Sequence, residues 1–339
     1  MKKGILFAVL FFTIFIFGIQ TVWATGNLLE AAKKEGKVVL YSSLPVWAND
    51  KLCKAFQKKY DIKAEFYRAG SLKVLQKFLN EKSAGMVKAD VFHNLYAAGF
   101  EMFKEKKYSV AYDSPEGKLY PERFKDPDKH FYPIRLVAMC MAYNSDKISS
   151  ADAPKTWTDI VDPKWKNLLV SADYMYGASQ LATYYFWMQK YGIEFIQKLG
   201  ENKPMIVSSH GNASKILVSG ERPIVIEMNS YDTWARAKKG LPAVNVFPKE
   251  GVPFVPGYAC ITADAPHPSA GRLFMDFLLS EEGQAVMQEI GVYSARPGMP
   301  PVPNKPKLSE LNLVNIDWKY LADNSQDIQG KISKALGRK

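Results

Sequence analysis

Short apolar runs alternate with amphipathic segments along the N-terminal half of the chain. A helix is predicted over Leu28–Glu35, followed by a strand over Lys37–Tyr41 and a helix over Asn49–Tyr60, whose apolar residues share one helical face. A strand over Ile62–Tyr67 and a helix over Leu72–Ser83 repeat the same unit. Strand–loop–helix alternation of this kind is typical of parallel α/β architecture.

The same alternation returns in the C-terminal half. The apolar run Ile134–Tyr143 predicts a long strand, and a helix is predicted over Ala178–Tyr191. Further strands are predicted over Leu168–Ser171, Pro223–Met228 and Tyr258–Ile261. The segment Arg296–Pro306 contains five prolines, which predicts an extended course over the surface. Two α/β units joined through long strands indicate two lobes on a hinge, with a ligand in the cleft between them.

The first 24 residues have the order of a secretory signal peptide. Lys2 and Lys3 precede the apolar run Ile5–Ile19, and Val22-Trp23-Ala24 offers small residues at the −3 and −1 positions of a cleavage site. The alternative is a membrane anchor, but the run is shorter than the ~20 residues of a bilayer span. Cleavage after about Ala24, with no cysteine there to carry a lipid, predicts a chain free in a bacterial periplasm.

The formal net charge of +11 does not indicate a nucleic-acid partner, because an exported protein does not meet one. The chain has three cysteines, an odd number for an oxidising compartment. At most one disulfide can form among Cys53, Cys140 and Cys260, and the sequence leaves open whether it does. Cys140 and Cys260 lie in apolar stretches, which favours buried thiols.

Several short motifs recur in one order behind the leader. They are Tyr41-Ser42-Ser43, Arg68-Ala69-Gly70-Ser71, Ala89-Asp90-Val91, the stretch Asp276–Gln284 and Gly291-Val292-Tyr293. Together they resemble the family 1 extracellular solute-binding proteins of ABC importers, in the branch typified by ferric-ion-binding proteins. The resemblance extends over nearly all of the chain after the leader.

The resemblance implies an α/β protein with the two-lobed type II periplasmic binding protein fold, a hinge and an interlobe cleft. Lobe 1 is expected over residues 25–137, completed by 256–290, and lobe 2 over 138–255. Residues 291–339 are expected to form a C-terminal extension that packs on the lobes. Such a carrier closes on a small-molecule ligand, delivers it to the membrane permease subunits, works as a monomer and performs no chemistry, so no cofactor is expected.

Ferric-binding members of that family place two adjacent tyrosines after an asparagine, before a helix. The matching stretch here is Asn229-Ser230-Tyr231, which keeps one tyrosine of the two. Tyr184 and Tyr185 are adjacent, but they lie inside a predicted helix, where core packing explains them. Ferric iron is therefore the alternative ligand, and no metal ligand set is expected.

Serines between a strand and a helix are candidate ligand contacts, since unpaired N–H groups and a partial positive charge favour anions there. These are Ser42, Ser43, Ser71 and Ser171. Each is also explained as a helix cap. Arg68 and Arg135 are candidates for a bidentate clamp on a carboxylate or phosphate, with a surface or hinge ion pair as the alternative for each.

The remaining candidates for ligand contact lie in loops or at strand ends. They are His93, Tyr174, Tyr176, Asn212, Asn229 and Tyr231. Tyr174 and Tyr176 fall in a predicted loop, where packing explains an aromatic ring less well than it does in a helix. The acids Asp90, Glu227 and Asp232 would suit a cationic ligand instead. The favoured ligand is a small organic anion, a phosphate ester or a carboxylate.

A secreted hydrolase is the distant alternative. The four histidines, at positions 93, 130, 210 and 267, are not spaced as metal ligands, and neither GxSxG nor HExxH occurs. A serine–histidine–acid set built from distant segments stays open at this point. The sequence favours a carrier over an enzyme.

Overall fold

A computed structural model describes residues 27–175 and 177–338. The predicted signal peptide and Tyr176 therefore lie outside the described residues. Among the residues described, no helix is both long enough and apolar enough to cross a membrane. Cys53, Cys140 and Cys260 are buried free thiols.

The first half of the chain alternates strands and helices as predicted, with small shifts at the ends. Its elements are α1 (residues 27–35), β1 (Lys37–Ser42), α2 (Val46–Tyr60), β2 (Lys63–Arg68), α3 (Ser71–Ser83), β3 (Val91–Asn94), α4 (Ala98–Glu105), β4 (Ser109–Val110) and β5 (Tyr132–Tyr143). β1 pairs in parallel with β2 on one side and with β3 on the other. This half therefore contains the parallel sheet that the alternation predicts.

The second half forms another α/β unit and ends in two short helices. Its elements are β6 (Leu169–Ala172), α5 (Ala178–Tyr191), α6 (Ile193–Glu201), β7 (Met205–Val207), α7 (His210–Ser219), β8 (Ile224–Asn229), α8 (Ser230–Ala237), β9 (Val244–Val246), β10 (Val252–Thr262), α9 (Pro268–Leu279), α10 (Glu281–Glu289), β11 (Leu313–Val314), α11 (Trp318–Asp323) and α12 (Ser325–Ala335). β6 pairs in parallel with β7 and β8.

Two long antiparallel strands, β5 and β10, connect the two units. The strand order across both is β2-β1-β3-β10-β5-β8-β6-β7. β5 pairs with β10 up to Ala138 and with β8 from Met139 onward, so one continuous strand belongs to both sheets. Separate hydrophobic cores lie on either side, one around Phe56 and Phe274, the other around Trp157 and Trp187. The two units are thus joined by paired backbone rather than by a loose linker.

The segment after α10 is anchored to α8 by polar contacts. The Trp234 indole Nε1 donates to the Pro303 carbonyl at 2.7 Å. Nζ of Lys305 donates to Ser230 Oγ at 2.9 Å and to the Gly291 carbonyl at 2.8 Å. Burial lowers the pKa of Lys305 to about 7. Farther on, apolar side chains of α11 and α12 enter the core around Trp157.

The shifted pKa of Lys305 predicts a rise in stability from pH 7 to pH 9. In this range the unfolded chain keeps a proton on Lys305, whose ordinary pKa is 10.5, and the folded chain releases it. The free energy of unfolding of Lys305→Met should show a smaller rise than that of the parent, measured by urea unfolding at pH 7, 8 and 9. The exposed Lys249→Met is the control and should keep the parental slope. Equal slopes in all three proteins would contradict the prediction.

Candidate ligand-binding cleft

A cleft of about 390 Å³ lies between the two α/β units. Its walls are the segments that follow β1 and β2 in the first unit and β6, β7 and β8 in the second. The carboxyl ends of parallel strands are where α/β folds gather loops and helix starts, and where they bind ligands. Here two such edges face each other across one cavity.

Five helices begin at this cleft, and four of them start without a side-chain cap. The N-cap residues of α2, α3, α5 and α8 are Pro45, Gly70, Gly177 and Asn229, and none accepts an N-terminal N–H through its side chain. Only α7 is capped, by Ser209, whose Oγ accepts from Asn212 N at 3.2 Å. Free N–H groups and helix dipoles therefore make the cleft electropositive.

Gly177, at the start of α5, leaves room for the side chain of Gln180. A Cβ at Gly177 would lie 1.9 Å from Oε1 of Gln180, whose side chain folds back over the first turn. Gln180 also accepts from Ser179 Oγ at 3.0 Å, and all three residues line the cleft. The glycine thus lets a polar amide reach the cavity beside an uncapped helix end.

The charged side chains of the lining are mostly cationic. Arg68, His210, Lys215 and Arg236 line the cleft, against one carboxylate among the described lining residues, that of Asp232. The Arg68 Nε donates to the Leu44 carbonyl at 3.2 Å, and the Arg236 Nε to Ser214 Oγ at 2.6 Å. One guanidinium from each unit is therefore held at the cavity with further donors free for an anion.

His210 lies at the first position of α7 and is paired with a buried acid. Its Nε2 lies 2.6 Å from Oε2 of Glu227, whose Oε1 accepts from Ser171 Oγ at 3.1 Å and from Ala172 N at 3.0 Å. Burial alone disfavours the imidazolium, but Glu227 and then Asp232 outweigh it, so the pKa of His210 is raised. The pair stabilises a positive charge on His210 at the cleft wall.

A further cation, Arg135, is buried outside the lining of the cleft. Arg135 is fully buried in β5, and none of its three guanidinium nitrogens has a hydrogen-bond partner among the described residues. Its Cζ lies 5.6 Å from the ring centroid of Tyr231, a residue that lines the cavity. Burial lowers the pKa of Arg135, and Tyr231 opposes that shift. Burial also raises the pKa of Tyr231 to about 12.

The structure brings half of the predicted contact residues to the cleft surface. The residues that line it are Ser43, Arg68, Ser71, Asn212, Asn229 and Tyr231. Four others are buried outside the lining: Ser42, His93, Arg135 and Ser171. Tyr174 is also absent from the lining, and Tyr176 is not among the described residues. Contact of any of them with a ligand stays a prediction.

Two expectations for individual side chains need correction. Tyr174 is explained by packing after all: it is fully buried, its ring centroid lies 5.0 Å from that of Tyr184, and its hydroxyl lies 2.9 Å from Ser333 Oγ. Arg135 makes no ion pair with any described residue: the Asp232 carboxylate favours its charge through space, but the group in contact with the guanidinium is the aromatic face of Tyr231. The alternative of a hinge ion pair is therefore wrong for Arg135.

Sequence reasoning missed the residues inside the helices that border the cleft. Lys215 follows Gly211 by four positions on α7, and Arg236 follows Asn229 by seven on α8. Residues four or seven positions apart lie on the same face of a helix, so Lys215 and Arg236 share the cavity-facing side of their helix starts. That periodicity is the signal that would have found them. Trp47, at the second position of α2, was missed as well.

Ser42 and His93 do not form a catalytic triad in the part of the chain that the structure describes. Ser42 Oγ lies 3.0 Å from His93 Nδ1, but both side chains are fully buried and the His93 Nε2 has no partner, so no acid completes a triad. Burial, followed by Arg135, lowers the pKa of His93 well below its usual value. Within the described ranges, no three histidine, cysteine or acidic side chains could hold a metal ion together.

A family model for bacterial extracellular solute-binding proteins matches residues 87–324. The chain belongs to this family. A relative among curated proteins, an uncharacterized protein of Haemophilus influenzae, is 27% identical over 272 residues, which cover 77% of this chain and 78% of the relative. The predicted family membership is confirmed.

Solved structures of binding proteins share the fold of this solute-binding protein. AfuA of Actinobacillus pleuropneumoniae, with exogenous fructose-6-phosphate bound, is 23% identical with a TM-score of 0.77, covering 89% of this chain and 99% of AfuA. Iron-bound HitA of Pseudomonas aeruginosa is 20% identical with a TM-score of 0.76, covering 87% and 99%. The predicted two-lobed type II fold is confirmed. The chain is a periplasmic solute-binding component of an ABC importer, works with its permease, and is not an enzyme.

Proposed function

We propose that this solute-binding protein captures a small organic anion, a phosphate ester or a carboxylate, and delivers it to the permease as a monomer. The mature chain begins after about Ala24, where the leader is cleaved. The observation that carries the choice of ligand is the set of four helix starts that face the cleft without a side-chain cap. Their N–H groups are the donors that an oxyanion satisfies.

Charge in and beneath the cleft supports an anion as well. Among the residues that the structure describes, the cationic side chains of the lining outnumber the carboxylates, and Arg135 adds a buried positive charge with no hydrogen-bond partner. Burying an unpaired charge is costly, and an anion in the cleft offsets part of that cost. Direct contacts are proposed for Ser43, Arg68 and Asn212 among the lining residues, with Tyr231 between Arg135 and the solute.

The structural neighbours include proteins solved with a phosphate ester and with iron. The side chains that line the cleft favour the phosphate ester. AfuA has been solved with fructose-6-phosphate and HitA with iron. Ferric iron requires hard anionic ligands, whereas the one tyrosine among the described lining residues has a pKa of about 12 and faces Arg135. A phosphate ester fits these cations better than a trivalent metal does.

Ligand binding is proposed to close the two lobes around β5 and β10. The lobes are residues 25–137 with 256–290 and residues 138–255, with 291–339 as an extension. The change of pairing partner after Ala138 supports the boundary within β5. Since the anion bridges helix starts of both lobes, its binding energy selects the closed state that the permease recognises.

Calorimetric titration of the ligand-stripped protein tests the proposal. The titrants are fructose 6-phosphate, succinate, inorganic phosphate and fructose, the last a matched uncharged control. Saturable binding of at least one organic anion, with none of fructose, is expected. A parallel titration with ferric citrate should leave the visible spectrum flat. A saturable coloured band from iron–tyrosinate coordination, with no organic anion bound, would replace the proposal by the ferric alternative.

A further inference from the structure

Trp47 is a large apolar side chain that the fold leaves uncovered at the cleft. It is the second residue of α2, lines the cavity, and is 41% exposed. Among the described residues, its indole takes part in no ring contact, cation–π contact or hydrogen bond. The other described tryptophans are buried or half-buried. Packing within this chain therefore does not explain Trp47.

The cleft presents apolar surface around Trp47 as well as cationic groups. Pro45, Trp47 and Leu95 form an apolar wall on the first unit. Cations lie on both units: Arg68 on the first, and Lys215 and Arg236, with the helix starts of α5, α7 and α8, on the second. A mineral anion has no apolar surface to place against such a wall. An organic anion has one, because its carbon skeleton can pack on an indole while its charged group binds the donors.

We propose that Trp47 selects organic anions over mineral anions by packing its indole on the carbon skeleton of the bound solute. This inference rests on the proposed function, which supplies the anion. It adds a specificity-determining residue that acts on the uncharged part of the ligand only. The charged group is bound equally well with or without the indole.

Isothermal titration of the parent, Trp47→Ala and Trp47→Phe with fructose 6-phosphate and with inorganic phosphate tests the proposal. Trp47→Ala should weaken fructose 6-phosphate binding roughly tenfold, the size expected for loss of one aromatic contact, and leave phosphate binding unchanged. Trp47→Phe should retain most of the affinity. Leu72→Ala is the matched control, because Leu72 is also the second residue of its helix and 38% exposed but does not line the cleft.

Tryptophan emission gives an independent readout. Fructose 6-phosphate should shift the emission of the parent and leave that of Trp47→Phe unshifted.

An equal loss of affinity for both anions in Trp47→Ala would show that the indole acts on lobe closure, and unchanged affinity for both would show that it touches no solute. Either result overturns the role of Trp47. Failure of the parent to bind either anion would instead overturn the phosphate-ester function, and the inference with it.

Discussion

Arg135→Met should weaken the binding of a phosphate ester while making the ligand-free protein more stable. The guanidinium of Arg135 is fully buried and has no hydrogen-bond partner in residues 27–175 and 177–338. Replacing buried charges by apolar side chains of similar volume often stabilises a protein by about 1–4 kcal/mol. The substitution also removes the cation–π contact with Tyr231, and this loss offsets about 1 kcal/mol of the gain in stability. Stability and affinity therefore change in opposite directions.

The loss of affinity follows from the Coulomb energy between Arg135 and the bound anion. A unit charge about 8 Å away contributes ~2 kcal/mol at an effective dielectric constant of about 20, which corresponds to roughly thirtyfold in Kd. Calorimetry with fructose 6-phosphate and thermal unfolding without ligand measure the two effects. Arg135→Lys keeps the positive charge, so both its gain in stability and its loss of affinity should be smaller than those of Arg135→Met. A lower melting temperature with unchanged affinity in Arg135→Met would assign Arg135 a structural role alone.

The parts of the fold that the sequence predicted best are those with local boundary signals. The helix Ala178–Tyr191 has its predicted bounds, because a glycine precedes it and another follows it. β10 begins at Val252, six residues before the predicted Tyr258. Pro253 and Pro256 hid this part of the strand, since proline usually marks an edge strand or no strand at all.

The start of α7 shows how one local misassignment affects the predicted site. The sequence predicts Asn212 outside a helix, in a loop or at a strand end, but α7 begins at His210 because Ser209 caps it. His210 therefore points toward Glu227 from a helix rather than from a flexible loop. The approach of β8 to α7 is a tertiary contact, and no local pattern in either segment specifies it.

Arg135 marks the limit of what the sequence could establish about the site. An arginine within an apolar strand is visible as an anomaly, but its partners depend on which elements pack against β5. Gly257 of β10 makes room for it: a Cβ there would lie 2.7 Å from Arg135 Cγ and 3.1 Å from His93 Nε2. The glycine, the histidine and the arginine are far apart in sequence, so their shared pocket appears only once β3, β5 and β10 are paired.

Glu227→Gln should destabilise the protein, and the loss should be larger at pH 6 than at pH 9. Glu227 is fully buried, and breaking a buried ion pair costs about 3 kcal/mol. The raised pKa of His210 contributes stability that is complete below the unfolded value of about 6.5 and is lost as the pH rises through the folded value. The parent should therefore lose this contribution on going from pH 6 to pH 9, and Glu227→Gln should not. Urea unfolding at several pH values measures the difference.

The same substitution should also lower the affinity for fructose 6-phosphate at pH 6, because a neutral His210 removes one of the cations that line the cleft. Asp90→Asn is a matched control: Asp90 is likewise buried beside a histidine, with His267 Nδ1 at 3.0 Å, but neither residue lines the cleft. Asp90→Asn should lose stability and keep its affinity. If both variants lose affinity to the same extent, general destabilisation explains the effect. If only Glu227→Gln does, the buried carboxylate acts on the ligand through the charge it maintains on His210.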